Sequence, residues 1–413
     1  MNPGRARFGA APQPIAGAVH RITATCLTIV AAALLPQGVL AAGSDDPAYP
    51  GQRQPTEGFG GTEASPDKVT ELDIPKDIER GVPIVAGAFA DPFVLEGFGA
   101  DFVYATNTSS ANVPVLRISR DGNEAAYLGD VLPTLPSWTR KGFQWAPAAW
   151  TRPDGTVVLY YSTPAPDSDL QCISAATSDS PSGPFTDKSS GPLVCPLPEG
   201  GAIDPSPFIG QDGDPYLLWK ADGNCCGLPT TIYIQPLAAD GLSTSGDPTA
   251  LVSDSQDWEK GIVEAPSMVR DGDTWWLFYS GNDWNTEDYA IGVARCSSLE
   301  GPCDKPLDRA WQTSAGEAEG PGGQEFFTHS SGLRMAHHGW LPGEVDSPGS
   351  TRRLFLDGMT FDSSGLPERD DSSLGGPTDD TGWWPWMITA AAALALVAYV
   401  VFRRRRSGSP RVP

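Results

Sequence analysis

Short apolar runs broken by tight polar turns dominate the middle of the chain. The stretch Val263-Glu264-Ala265-Pro266-Ser267-Met268-Val269 is followed by Arg270-Asp271-Gly272-Asp273 and then Thr274-Trp275-Trp276-Leu277-Phe278-Tyr279-Ser280-Gly281. An apolar strand, an Asp-Gly turn and an aromatic-rich strand predict a β-hairpin. The layout recurs wherever a small or acidic residue precedes proline and an apolar run. It does so at Asp91-Pro92-Phe93-Val94, Ala146-Pro147-Ala148-Ala149-Trp150, Asp204-Pro205-Ser206-Pro207-Phe208-Ile209 and Ala265-Pro266-Ser267-Met268-Val269. A looser copy is Gly320-Pro321 before Glu325-Phe326-Phe327. The prolines recur roughly every 55–61 residues, a period that marks a repeat architecture.

One small sheet per repeat, arranged radially, predicts an all-β, five-bladed β-propeller. Proline suits the first residue of a strand or a sheet edge, so each one marks the start of an innermost strand. Strands that start together around an axis bring their first residues to one end of a central funnel. The acids expected there are Asp91, Asp204 and Glu264.

The ends of the chain follow other patterns. Arg5, Arg7 and Arg21 precede an apolar run over 22–35, and Val39-Leu40-Ala41 resembles a small-residue cleavage site, so residues 1–42 read as an export signal. Cys26 lies inside that run as one more apolar residue. Residues 43–80 are rich in Gly, Pro, Ser and acids without periodicity and read as a disordered spacer. A propeller domain over 81–362 is followed by a polar linker over 363–382. An apolar segment over 383–402, opened by Trp383-Trp384-Pro385-Trp386, is long enough to cross a bilayer. Arg403-Arg404-Arg405-Arg406 starts a basic tail over 403–413 that would stay in the cytoplasm. The expectation is a monomeric domain outside the cell, held at the cell membrane by a single C-terminal helix in the lipid bilayer.

Six cysteines remain, and an exported domain with an even number suggests disulfides. Local spacing favours Cys172 with Cys195 and Cys296 with Cys303. Cys225 and Cys226 would then form a vicinal bridge or stay reduced; a zinc site is the alternative, although no Cys-x-x-Cys or His pair flanks them. The net charge of -23 argues against a phosphate-binding groove, and no nucleic-acid partner is expected.

Carboxyl groups facing each other across a funnel suit glycoside hydrolysis, in which one protonates the leaving oxygen and the other activates water. A third acid can raise the pKa of the donor by like-charge repulsion. Aromatic side chains offer apolar faces for sugar rings. Trp145 is the foremost candidate, Phe89, Trp219 and Trp284 are weaker ones, and Asn282 could bond a hydroxyl.

With these residues in place, the chain resembles glycoside hydrolase family 43, five-bladed propellers acting on arabinofuranosides, xylosides and related glycans. The resemblance rests on Phe89-Ala90-Asp91-Pro92, Trp145-Ala146-Pro147, Ala202-Ile203-Asp204-Pro205 and Val263-Glu264-Ala265-Pro266. Leu277-Phe278-Tyr279-Ser280-Gly281-Asn282-Asp283-Trp284 and Tyr289-Ala290-Ile291-Gly292-Val293-Ala294 add to it. It implies an inverting hydrolase with Asp91 as general base, Glu264 as general acid and Asp204 as the residue that orients the acid and tunes its pKa. No cofactor is required by that chemistry.

Many members of the family carry a Gly-His pair in the last blade, near a bound calcium. Here Gly320-Pro321-Gly322-Gly323-Gln324-Glu325 has no histidine, and His337 and His338 fall on the next strand. Strand alternation lets only one of them face the channel, where it could hold a structural Ca2+. Two other readings stand beside the hydrolase: a non-catalytic glycan-binding or adhesion propeller, and a retaining fructan-type enzyme. The latter would need an Asn-Asp-Pro-Asn-like start, whereas this chain has Phe89-Ala90-Asp91-Pro92-Phe93.

Overall fold

The computed structural model describes residues 70–72, 83–120, 125–329 and 332–370. Five antiparallel sheets follow one another along the chain, each built from consecutive strands. Their innermost strands are Phe93–Leu95, Trp145–Thr151, Ala202–Ile209, Val263–Asp271 and Glu319–His329, which open blades I to V. Each innermost strand touches that of the next blade, and the blade V strand touches that of blade I, so the ring is closed. Two backbone bonds seal the closure: Ile84 N–H donates to Leu354 O and Phe89 N–H to Arg352 O, each at 2.8 Å.

The aromatic runs are continuous because the second strand of a blade is covered on both faces. In Val157–Pro164 every residue is buried. Alternation sends Val157, Leu159 and Tyr161 into the core shared with blade I, and Val158 and Tyr160 into the core shared with blade III. The same division places Leu277 and Tyr279 between blades III and IV, and Trp276 and Phe278 between IV and V. A fifth cluster, including Ile84, Phe89, Val94, Phe327 and Leu354, joins blades V and I. Truncating one of these wholly buried side chains to alanine costs about 2–5 kcal/mol.

Two strands lie where none was expected. Thr70–Leu72, inside the expected spacer, pairs with Ala125–Asp130 as a fifth strand of blade I. Pro367–Asp370, inside the expected linker, pairs with Arg353–Phe361 and completes blade V. Backbone pairing needs no apolar side chains, so polar composition hid both. Blade II has three strands, and isolated bridges from Ile173 to Val194 and from Thr177 to Thr186 edge its outer side.

All three disulfides are present. Cys172–Cys195 and Cys296–Cys303 pair as the spacing suggested, and the latter pins the two outer strands of blade IV. Cys225 and Cys226 are bonded to each other in the turn Gly223–Cys226, which answers the zinc alternative. The expected signal at 1–42, the segment at 383–402 and the tail at 403–413 lie outside the described residues. Among the described residues, no helix is long and apolar enough to cross a membrane.

Candidate active site

Four of the five innermost strands, those of blades II to V, carry the same irregularity near their start. The ladder register shifts between Trp145 and Ala148, between Ile203 and Ser206, between Glu264 and Ser267, and between Gly322 and Glu325. One residue in each bulge takes a left-handed backbone, Ala146 (φ 42°), Asp204 (55°), Ala265 (48°) and Gly323 (58°), and so does Asp91 (51°), just ahead of the blade I strand. Pro147, Pro205 and Pro266 therefore lie within a bulge rather than open a strand. Bulges of this kind re-aim side chains, here toward the axis.

This register corrects two expectations. In blade V the equivalent of the Xaa-Pro step is Gly323-Gln324, three residues beyond Gly320-Pro321. Glycine is required there, since a Cβ on Gly323 would lie 2.5 Å from His338 Nδ1 and one on Gly322 would lie 2.0 Å from the Tyr289 ring. The three acids also do not share one position. Asp91 and Asp204 hold the left-handed position, whereas Glu264 stands one residue earlier, where blade II has Trp145.

The five left-handed positions nevertheless converge. One channel is lined by Asp91, Ala146, Asp204, Ala265, Gly323 and Glu325. Asp91 Oδ1 accepts from Arg352 Nη1 at 3.0 Å and Oδ2 from Thr106 Oγ1 at 2.5 Å. His338 Nδ1 lies 3.2 Å from Oδ1 and 3.0 Å from the Asp91 backbone nitrogen. Burial acts to raise the Asp91 pKa, but Arg352, His338 and Thr106 together outweigh it and hold the carboxyl well below its usual range.

Across the funnel the balance is reversed. Asp204 Oδ2 accepts from the N–H of Ala265, the peptide that follows Glu264, at 2.8 Å. Its pKa is pushed up to about 8, first by desolvation and then by the charge of Glu264, with Lys220 acting in the opposite direction. Glu264, 9% exposed, accepts from Lys220 Nζ at 2.8 Å and from the Tyr289 hydroxyl at 2.7 Å. Lys220 is wholly buried and also bonds Asp222 at 3.1 Å. Asp204 therefore carries a proton near neutral pH, while Asp91 is ionised.

His337 and His338 point to opposite faces of their strand, as alternation requires. His338 faces Asp91; His337 Nε2 lies 2.9 Å from Asp357 in the body of blade V. Burial first, and then the neighbouring Arg352, pull the His338 pKa down to about 4. Its Nε2 lies 3.3 Å from Arg352 Nη1, so the imidazole abuts a cation. Among the described residues no group of three or more His, Cys, Asp and Glu side chains could hold a metal ion. This donor set does not fit a divalent ion at His338.

The aromatic candidates separate. Trp145 is half-buried, edge-to-face with Phe143, and shares the register of Glu264. Trp284 stacks on Trp340 and carries the Arg352 guanidinium 4.5 Å above its ring. Phe89 is wholly buried in the core between blades I and V, so it packs and does not reach substrate. Trp219 is likewise packing, stacked on Tyr233. Asn282 is a left-handed turn residue whose amide accepts from the Asp283 nitrogen and donates to the Asp288 carbonyl.

Sequence reading passed over Lys220, Arg352, Thr106 and Glu325. A lysine inside Leu217-Leu218-Trp219-Lys220-Ala221 was a usable signal, because an apolar strand buries a cation only when acids meet it. Arg352 gave none: it comes from a loop whose path the repeat does not determine.

The model of the family described as glycosyl hydrolases family 43 matches residues 81–367. A solved thermostable family-43 glycoside hydrolase is similar at 25% identity and TM-score 0.60, over 73% of this chain and 95% of that one. An endo-1,4-beta-xylanase from Bacteroides thetaiotaomicron is similar in fold at 22% identity and TM-score 0.58, over 68% of this chain and 94% of its own. An exo-1,5-alpha-L-arabinanase from a bovine ruminal metagenomic library matches at 21% identity and TM-score 0.56, over 69% and 97%.

Proposed function

Since the chain belongs to glycosyl hydrolases family 43, an inverting glycoside hydrolase family, we propose that it cleaves arabinofuranoside- or xyloside-type glycans at the outer face of a cell membrane. Asp91 is the general base. It takes a proton from the water that attacks the anomeric carbon, and its oxygens are positioned by Arg352 and Thr106. Glu264 is the general acid and delivers a proton to the leaving oxygen. Asp204 regulates how tightly that proton is kept, and Lys220 and Tyr289 hold the Glu264 carboxyl in place.

One observation carries this reading: the two sides of a single funnel are set to opposite protonation states, the pattern an acid–base pair requires. The arabinanase and xylanase among the similar structures support a pentose-containing substrate. The apolar segment at 383–402 with its arginine flank supports the tether.

A screen of the full chain against nitrophenyl furanosides and pyranosides, with Glu264→Gln alongside, tests the reading. Hydrolysis of at least one glycoside is expected, with inversion of the anomeric centre. The variant should lose about 10²–10⁴-fold in kcat, the usual contribution of one general acid. Glycan binding without turnover by the unmutated chain would favour an adhesion propeller instead.

A further inference from the structure

A cavity of about 260 Å³ lies beside the base and takes no part in the mechanism above. Its walls are Trp284, Trp340 and Arg352, with Ala90 and Thr106 toward the funnel and the loop 346–351 opposite. The two indoles are near-parallel, with centroids 6.1 Å apart, and Trp340 Nε1 donates to Trp284 O at 3.2 Å, so the aromatic wall is fixed. Apolar walls with a few convergent polar groups are the usual make-up of a small-molecule site, and this volume is below the 300–1,000 Å³ typical of drug-sized ligands. It suits a single sugar ring.

The cavity is tied to the base at two points. Thr106 and Arg352 each line it and each bond the Asp91 carboxylate. In an inverting reaction the base and its water stand on the face of the sugar opposite the leaving group. A cavity whose walls share Thr106 and Arg352 with Asp91 therefore lies on the base's side, the side that keeps the cleaved sugar.

We propose that this cavity is a binding subsite for the sugar unit next beyond the one whose bond is cut, on the non-leaving side. The proposal rests on the hydrolase reading and adds a preference for chains with at least two units before the scissile bond. The loop 346–351 bounds the subsite at its far end.

Linear arabino- and xylo-oligosaccharides of two and three units, with the nitrophenyl monoglycosides, test it on the full chain. The trisaccharide of the hydrolysed series should exceed the disaccharide in kcat/KM by about five- to tenfold, the size of one aromatic contact. Trp284→Ala should bring that ratio close to one. Ser347→Trp, which fills the cavity from the loop and leaves the aromatic wall intact, should do the same. Both variants should lose less on the monoglycoside than on the trisaccharide. A ratio near one in the unmutated chain, or a ratio that neither variant changes, overturns the subsite while leaving the hydrolase standing. Failure to cut any glycoside would remove the hydrolase, and the subsite with it.

Discussion

Asp91 and Asp204 make a controlled comparison within one molecule. They occupy the same position of the repeat, with nearly the same left-handed backbone (φ 51° and 55°), each followed by proline and each lining the same channel. Their carboxyl groups are nevertheless pushed in opposite directions. Asp91 faces a guanidinium and a hydroxyl donor, whereas Asp204 faces a second carboxylate. The repeat supplies a backbone that aims a side chain at the axis, and the neighbours supply the role.

The largest effect should come from neutralising each acid in turn. Asp91→Asn removes the proposed general base and should lower kcat by about 10³–10⁴-fold at every pH. Asp204→Asn leaves both partners of the reaction in place and should cost about 10–100-fold near neutral pH, within the range of supporting residues. The pH profiles should differ as well. In the unmutated chain activity falls as pH rises through about 8, where Asp204 loses its proton. That limb belongs to Asp204, so Asp204→Asn should move it while Asp91→Asn should not. Equal losses in the two variants, with unmoved limbs, would dissolve the distinction between the two sides.

Removing the neighbour instead of the acid gives a smaller and more specific effect. Arg352→Met takes away the cation that holds Asp91 ionised, so the carboxyl rises toward its ordinary value. A base must be unprotonated to act, and the acidic limb of kcat/KM should therefore move to higher pH. At neutral pH about tenfold should be lost, through the looser Asp91. An unmoved acidic limb would show that Thr106 and His338 suffice to set the base.

Much of this was legible before any coordinates. Proline spacing and aromatic runs carried the five blades, because a strand covered on both faces must be apolar along its length. The acids of the funnel and the two spaced disulfides also came from local pattern. What stayed hidden was of three kinds. Bulge register cannot be read from an Xaa-Pro step, so Glu264 was aligned one residue late and the blade V step three residues early. Thr70–Leu72 and Pro367–Asp370 are short, mostly polar segments that gave no strand signal. Arg352 reaches Asp91 only through ring closure, and Thr106 through the blade I hairpin, whose pairing register the sequence does not state. Phe89 packs in the core between blades V and I for the converse reason: a family-like neighbourhood does not say whether a residue ahead of the strand turns inward to the core or outward to the funnel.

Glu325 supplies the reference against which both aspartates can be read. It lines the same channel, yet only donors meet it: Ser267 Oγ at 2.6 Å, and Ser206 Oγ and its own neighbour's N–H (Phe326) at 3.0 Å. Its pKa is pushed up to about 7, chiefly by burial, which the three donors oppose. Enclosure alone therefore raises a carboxyl here; the Glu264 charge raises Asp204 further, and Arg352 reverses the sign at Asp91. A group whose pKa is higher in the folded state favours folding fully only below its unfolded value, and that contribution is lost as pH rises through the folded value. Glu325→Gln, which cannot ionise, should thus gain stability relative to the unmutated chain as pH rises from about 4.5 to above 7. The gain should be on the order of 3 kcal/mol at 1.36 kcal/mol per pKa unit. Denaturant unfolding of both chains at pH values on either side of that window measures the difference, and the pH dependence of Asp204 cancels between them. A difference that stays flat with pH would mean that water in the channel solvates Glu325, and that the contrast between Asp91 and Asp204 owes nothing to enclosure.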